Sequence, residues 1–562
     1  MAKIHTLKIS NYRGIQSFEH VFGTAEFVCL IGRGDSGKTT ILEAISAVLS
    51  PNWNLTFYDT DFYNGDISNS IEIEVSLFDL PTNLLQESKF GLYKRFLDKD
   101  GNIIDNVLDD KLNEDIEILT VKLVVDKHLE PNWYIVNNRA KQLDVEIRAN
   151  DRASLNVFLV SDYIDRHFSW SKGNPLYSLL KEEEVTTGNN NDILDAFREA
   201  KNKIDSIPFS HLDNVVEKIK SASSELGVNI INTSTTIDFR DISIKDGRIC
   251  LHENNVPFRQ KGKGSKRLIS IAIQTELANS GGILLIDEIE QGLEPDRVQH
   301  LARTLKNHYK SQIFITTHSR DVLVELKAEN IFRLKKGNEE LYSFENSLQG
   351  CLRSNPEAFF SERIIVCEGS TEIGICRGID EFRIAKGNNN TSFLGVKFAN
   401  GNGTNQVEYS RAFRKSGYDV CLFCDSDVKK INDVKSELIS QGIKIIDCEN
   451  AKKIENHLFE DLPWNAVKSL IDYRISYKGE DSVIDSIKSK YSDDFPSDWR
   501  NTDSQTMRTA IFNASIIKDN EWFKRIDHGE FLGKICCENT ETIKEKKLGQ
   551  IINDLSNWIE HA

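Results

Sequence analysis

The chain has 562 residues, 39% of them hydrophobic and 28% charged, which suits an ordinary globular protein of roughly three to five domains. Its 32 glycines and 10 prolines exclude a collagen-like or broadly disordered chain, and no apolar run is long enough for a transmembrane helix. A net charge of −16 argues against a passive whole-surface nucleic-acid coat, while leaving room for a local basic groove. The N-terminus MAKIHTLKIS has no apolar signal core, so a cytoplasmic location with reduced cysteines is expected. One CxxC pair, Cys421 and Cys424, lies inside an apolar run and reads as buried core thiols.

In chain order, KIHTLKIS alternates like a half-buried strand, EFVCLIG is a buried strand running into a Gly-rich loop, and KTTILEAISAVL has helical spacing. IEIEVSLFDL alternates as an edge or half-buried strand, and ILTVKLVVD and YIVNN continue a strand-rich region. From 151 to 225 polar helical segments dominate (NDILDAFREAKNKI, HLDNVVEKIKSASSELG), read as an insertion that is either a solvated helical pair or a dimerisation arm. Residues 226–345 return to strands, with GILLIDE and QIFITTHS each ending in polar residues. A connector leads to RIIVCEGSTE, which opens a new α/β unit over 346–475, with YDVCLFCDSD and IKIIDC as further buried strands. Residues 476–562 read as helical.

Gly32, Arg33, Gly34, Asp35, Ser36, Gly37, Lys38 and Thr39 match GxxxxGK[ST] between a strand and a helix, the P-loop context. Its glycines let backbone N–H groups cradle phosphates, and Thr40 is expected to bind the nucleotide with them, at the start of the helix whose positive end faces the phosphates. Lys38 would reach the β- and γ-phosphates of ATP, and Thr39 would offer a hydroxyl to Mg²⁺. Far downstream, Ile283–Ile286 run into Asp287, expected to hold the same Mg²⁺ through water, and Glu288, expected to polarise the attacking water. Gly264 and Ser265 lead a helix before this strand, Gly292–Pro295 follow it, and His318 ends the next one. This order resembles an ABC-type ATPase head: Walker A, signature, Walker B, D-loop and switch histidine. The resemblance implies that Gly264 and Ser265 contact the γ-phosphate across a dimer interface and that His318 senses it within its own subunit. The long separation of Walker A from the signature is similar to the SMC, RecF and OLD branch. KGKGSKR departs from the LSGGQ signature of transporters, no Q-loop glutamine is evident, Asp61 stands roughly in its place, and Arg13 could approach the nucleotide.

A second acidic constellation follows. The strand Ile364–Cys367 ends in Glu368, with Glu372 four residues on, and the strand VCLFC ends in Asp425 and Asp427. Asp425 and Asp427 at i and i+2 share a side, and Glu368 and Glu372 at i and i+4 share a face. Both pairs emerge at carboxyl ends of strands. Converging carboxylates repel and call for cations, and oxygen-only ligands suit Mg²⁺ or Mn²⁺. A Glu on one strand end and DxD on another resembles the Toprim domain. An ABC-type head followed by Toprim resembles the OLD (overcoming lysogenisation defect) family of nucleases over about 1–80 and 226–535; Cys367 stands where an apolar Val is more usual.

The resemblance implies an α/β fold: an ABC-type ATPase head with lobes at 1–150 and 226–345 around the 151–225 insertion, a Toprim (Rossmann-like) domain at 346–475 and a helical extension at 476–562. It adds Glu455 to the metal set, and Lys524, with Lys534 as fallback, as the lysine that steadies the scissile phosphate. The implied activity is ATP-gated, two-metal DNA cleavage in bacterial antiphage defence, by a homodimer or tetramer, alone, with a helicase as in Gabija, or with a retron reverse transcriptase and its nucleic acid; no membrane partner is implied. Arg259, Lys261, Lys263, Lys266 and Arg267 are loose candidates for a DNA groove. Two rivals remain: a RecF- or SMC-like repair ATPase with a structural Toprim, and an ATP-switched scaffold that cuts nothing.

Overall fold

The computed structural model describes residues 2–98, 100–105, 116–161, 164–169, 174–182, 210–237, 249–279, 282–308, 311–335, 337 and 340–560. The chain divides into two compact units, Met1–Ser343 and Phe344–Ala562.

The first unit holds two large sheets. In the antiparallel one, Ile71–Phe78 lies between Lys3–Tyr12 and Ile116–Val125. It is therefore a central strand and not an edge. Its alternation arises because one face packs inward, where Ile71, Ile73, Val75 and Leu77 are fully buried. The second sheet runs Val157–Val160, Ile283–Ile286, Gln312–Thr316, Phe27–Ile31, Ile331–Leu334, Leu341–Ser343. All neighbours are parallel except the last pair. Parallel strands covered on both faces read as unbroken apolar runs, which is why FVCLI and ILLI do not alternate. The helix Lys38–Val48 packs Ile41, Leu42, Ala44, Ile45 and Val48 into the core between these sheets.

The 151–225 insertion is corrected at its start. Val157–Val160 is an edge strand of the nucleotide sheet, paired in register with Ile283–Ile286. NVFLV is short and β-branched, and the surrounding polar helical sequence hid it. HLDNVVEKIKSASSELG does contain a helix, Asp213–Glu225. NDILDAFREAKNKI lies outside the described residues.

The second unit is built on a four-stranded parallel sheet, ordered Val396–Asn400, Arg363–Cys367, Asp419–Cys424, Lys444–Asp447. One hydrophobic core runs from Ile365 to Ile559 and includes the buried Trp522 and Phe523, so the C-terminal helices belong to the same body as the sheet. Val396–Asn400 has no counterpart in the sequence reading, because VKFAN carries a lysine and an asparagine in a five-residue strand. Cys421 and Cys424 are fully buried thiols, as the sequence suggested. No helix among the described residues is long and apolar enough to cross a membrane.

Candidate functional sites

The nucleotide sheet places three strand ends side by side. Phe27–Ile31 leads to the P-loop, Gln312–Thr316 is its direct neighbour, and Ile283–Ile286 lies beyond. Parallel strands bring their carboxyl ends to one edge, where open α/β sheets bind ligands. In the P-loop, a Cβ on Gly32 would stand 2.5 Å from the Leu334 carbonyl oxygen, and Gly37 has φ +97°; neither position accommodates a side chain without strain. Lys38 Nζ donates to the carbonyl oxygens of Gly32 and Arg33 at 3.0 Å and to Ser36 Oγ at 3.4 Å. Burial lowers the Lys38 pKa, and Asp287, Glu288, Glu290 and Asp35 oppose the shift. The ammonium thus lies near Asp287 and Glu288, and near Glu290, which the sequence reading did not single out.

Thr39 Oγ1 lies 3.0 and 3.1 Å from the two oxygens of Asp287, which brings together the hydroxyl and carboxylate expected to share a magnesium ion. Thr316, which the sequence reading passed over, donates its hydroxyl to Asp287 Oδ1 at 2.7 Å and accepts the Glu288 N–H at 2.7 Å. Glu288 is exposed and held at φ +45°, an uncommon conformation for a non-glycine residue and a feature of functional strand ends. Glu290 accepts the Thr317 hydroxyl at 2.7 Å and the His318 N–H at 2.6 Å, fixing the loop that carries the histidine. Its surroundings, then Lys38, push the His318 ring below its usual pKa. That favours the neutral imidazole at pH 7.

Gly264 and Ser265 begin the helix Lys263–Asn279. A Cβ on Gly264 would stand 2.6 Å from the Gly292 carbonyl oxygen, so the signature and D-loop positions pack against each other. Among the described residues no hydrogen bond joins Gly264 or Ser265 to the P-loop. Arg13 is drawn to acids instead of lying free: it contacts Glu43, and its Nε lies 2.9 Å from Asp61.

Arg267 departs from its expected place in a DNA groove. It is 2% exposed and donates to the carbonyl oxygens of Asp287, of Glu288 at 3.2 Å and of Ser161 at 2.9 Å. Its guanidinium fork therefore clamps the ends of two neighbouring strands. Lys261 and Lys266 are paired with Glu253 and Asp165. Arg267→Met should destabilise the first unit by about 2–4 kcal/mol, because three carbonyls lose a charged donor in a buried place. Thermal melting of the purified chain, together with ATP turnover, checks this; an unchanged melt with unchanged turnover contradicts the clamp.

In the second unit, Arg363–Cys367 and Asp419–Cys424 are adjacent, with Cys367 opposite Phe423. That register puts Glu368 against Asp425: the Glu368 N–H bonds the Phe423 carbonyl at 3.0 Å, and the Asp425 N–H bonds Glu368 Oε2 at 3.0 Å. Glu372 reaches back to the Gly369 N–H at 2.8 Å, and Asp425 Oδ1 accepts the Ile454 N–H at 2.8 Å and the Cys448 thiol at 3.5 Å. Glu372 and Glu455 are each 6% exposed and Asp425 8%. Burial, then the charge of Glu455 and Glu368, pushes Glu372 up to about 7. Burial, then Glu372, Glu455 and Glu368, pushes Asp425 up to about 8. Glu368 is raised as well, by burial and by Asp427, against the pull of Lys453 and Lys524. Glu372, Asp425 and Glu455 thus lie close enough to Glu368 to bear on one another's charge, and Asp427 and Lys524 bear on Glu368. Lys453, in KKIENHLF, belongs to the group as well, although the sequence pattern there points only to Glu455. Lys534 is exposed on the helix Ile526–Glu538, and no interaction among the described residues places it in this group.

Lys524 is carried to the acids by a contact between two glycine-bearing helices, Ser370–Ala385 and Ile526–Glu538. A Cβ on Gly374 would stand 2.2 Å from the Ile526 carbonyl oxygen and 2.6 Å from Gly529 Cα. One on Gly533 would stand 2.4 Å from the Ile375 carbonyl oxygen and 3.1 Å from Gly378 Cα. The two backbones touch, and Thr371 Oγ1 bonds the Phe523 carbonyl at 2.6 Å, one residue before Lys524.

Among the described residues no three acidic, histidine or cysteine side chains already form a metal ligand set. The fit to a divalent ion lies in donor chemistry and charge. Buried carboxylates that raise one another's proton affinity are a set that a cation relieves. Glu368, Glu372 and Asp425 each hold one oxygen on a backbone N–H, which fixes the direction of the carboxylate.

No curated protein matches this chain. Among solved structures, it is similar to an SmcHead bound to the C-winged helix domain of ScpA, at 14% identity and TM-score 0.36, over 61% of this chain and 94% of the other. It is also similar to a Smc head domain with an extended coiled coil bound to the C-terminal domain of ScpA, from Pyrococcus furiosus, at 15% identity and TM-score 0.37, over 64% and 99%. A third is the SMC head domain from Thermotoga maritima, at 11% and 0.28, over 61% and 99%. Residues 27–325, just over half of the sequence and the span that carries the P-loop, Asp287 and His318, match the family described as "AAA domain, putative AbiEii toxin, Type IV TA system", and the chain belongs to that family of ATPase domains.

Proposed function

We propose that the protein is an ATP-gated, divalent-metal-dependent DNA endonuclease of the OLD type, acting in antiphage defence, whose second unit is a Toprim nuclease. The observation that carries this reading is the convergence of Glu368, Glu372, Asp425 and Glu455 at the carboxyl ends of two adjacent parallel strands, with Asp427 and Lys524 beside them. Magnesium or manganese would be held by those five carboxylates; such an ion supplies Lewis acidity for an attacking water and a counter-charge for the leaving oxygen. Lys524 would bind a non-bridging oxygen of the scissile phosphate and offset the charge that grows there. In the first unit Lys38 and the P-loop backbone would bind the phosphates of ATP, Thr39 and Asp287 its magnesium ion, and Glu288 would orient the hydrolytic water. Gly264 and Ser265 would complete the nucleotide site of a second copy, which makes the working form a homodimer or larger. A place in defence follows the family resemblance and accords with a family whose description names a putative toxin.

Plasmid nicking and linearisation in Mg²⁺ or Mn²⁺, with and without ATP, tests this. Wild type should cut, Asp425→Ala should not, and Lys38→Ala should lose the response to ATP. ATP hydrolysis with no cleavage in any lane would sink the nuclease reading and favour a scaffold or repair ATPase.

A further inference from the structure

The segment 448–455 crosses the ends of the acidic strands and engages both aspartates of the DSD loop. The Cys448 thiol and the Ile454 N–H meet Asp425 Oδ1, and the Lys452 carbonyl accepts the Ser426 N–H at 3.0 Å. Between them Glu449, Asn450 and Ala451 all have positive φ, at 51°, 49° and 57°. Three consecutive non-glycine residues in the left-handed region are held there at a cost in backbone strain. The turn delivers Lys453, whose own N–H is bonded to Asn456 Oδ1 at 2.9 Å. Lys453 Nζ lies 3.2 Å from Asp427 Oδ2, and its side chain is 37% exposed. Its charge also bears on Glu368, Asp425 and Glu455.

The geometry points to Lys453 as a positioning residue: a tethered ammonium that holds Asp427 when no divalent ion is bound, and that an incoming ion must displace from it. This inference rests on the metal-dependent reading of the acidic site. An ammonium and a divalent ion cannot both sit close to Asp427 without repulsion. At 4 Å in water-like surroundings, like unit charges cost about 1 kcal/mol, and more in a half-buried site. Lys453 therefore keeps the acids together in the metal-free chain and sets how much metal the site needs. Lys524 differs in role: it bears on Glu368, forms no ion pair with a carboxylate among the described residues, and is left for substrate.

The test is Mn²⁺ binding by calorimetry on the full-length chain, for wild type, Lys453→Met, Lys453→Arg and Asp425→Asn, with melting in EDTA alongside. Lys453→Met should bind Mn²⁺ about five- to tenfold tighter and melt lower in EDTA, while Lys453→Arg stays near wild type in both. Simple structural damage would weaken metal binding, so tightening separates the two explanations. Unchanged affinity in Lys453→Met, with wild-type binding that is lost in Asp425→Asn, overturns the role of Lys453 and leaves the metal site standing. No saturable Mn²⁺ binding in wild type overturns both.

Discussion

Asp425→Asn should abolish DNA cleavage, by roughly 10³-fold or more, and at the same time raise the melting temperature of the metal-free protein at pH 8. The two effects have one cause. Asp425 is buried among Glu372, Glu455 and Glu368, and its pKa stands at about 8. Glu372 stands at about 7 for the same reasons. Both values lie above those of an unfolded chain, so the folded state binds more protons between about pH 4 and pH 8. Stability from these groups is complete at low pH and is lost as pH rises through 7 and 8. Each pKa unit is worth about 1.4 kcal/mol, so the loss amounts to a few kcal/mol. The metal-free chain should therefore melt lower at pH 8 than at pH 5.5, Mg²⁺ or Mn²⁺ should make up the loss, and Asp425→Asn should reduce the difference to the part that Glu372 contributes. Asn keeps an oxygen for the Ile454 N–H and the Cys448 thiol while removing the charge. Thermal melts over this pH range, with EDTA or metal, check it; a wild-type melt that is flat in EDTA would contradict the carboxylate repulsion.

Gly529→Ala should damage the second unit strongly. In a free helix Ala is better than Gly by about 1 kcal/mol. Here the added carbon would stand 2.4 Å from the Thr371 carbonyl oxygen and 2.8 Å from Gly374 Cα. Both are backbone atoms, so no rotamer change relieves the clash and the helices must separate. Overpacking of this kind costs about 1–3 kcal/mol and sometimes more, which outweighs the propensity gain. Separation also moves Phe523, whose carbonyl Thr371 holds, and with it Lys524. The variant should melt several degrees lower and lose cleavage beyond what its folded fraction explains. Gly479→Ala is the control: the space about it is open but its φ is +81°, so it should cost local backbone strain without disturbing the helix contact. Equal melting of Gly529→Ala and wild type would contradict the contact.

Much of the chemistry was legible because it is local. GRGDSGKT needs only its own glycines and the strand and helix around it. ILLIDE, ITTHS, IIVCEG and VCLFCDSD announce buried strands ending in polar groups, since a parallel strand must be apolar along its length and open at its carboxyl end. What the linear pattern could not supply is adjacency. The strand order of the six-stranded sheet decides that Thr316 stands between the P-loop and Asp287. The register of Cys367 with Phe423 decides that Glu368 meets Asp425. Val157–Val160 escaped as a strand because it is only 4 residues long and set in polar helical sequence. Arg267 and Lys453 look alike in sequence, each a cation among polar neighbours, yet one is sealed against carbonyls and the other reaches a carboxylate. Residue type and local spacing thus determined which groups are present and which strand ends carry them. Long-range pairing, close helix contact at paired glycines and burial decided which groups meet and what charge they hold, because those depend on distances that only the folded chain brings to a few ångströms.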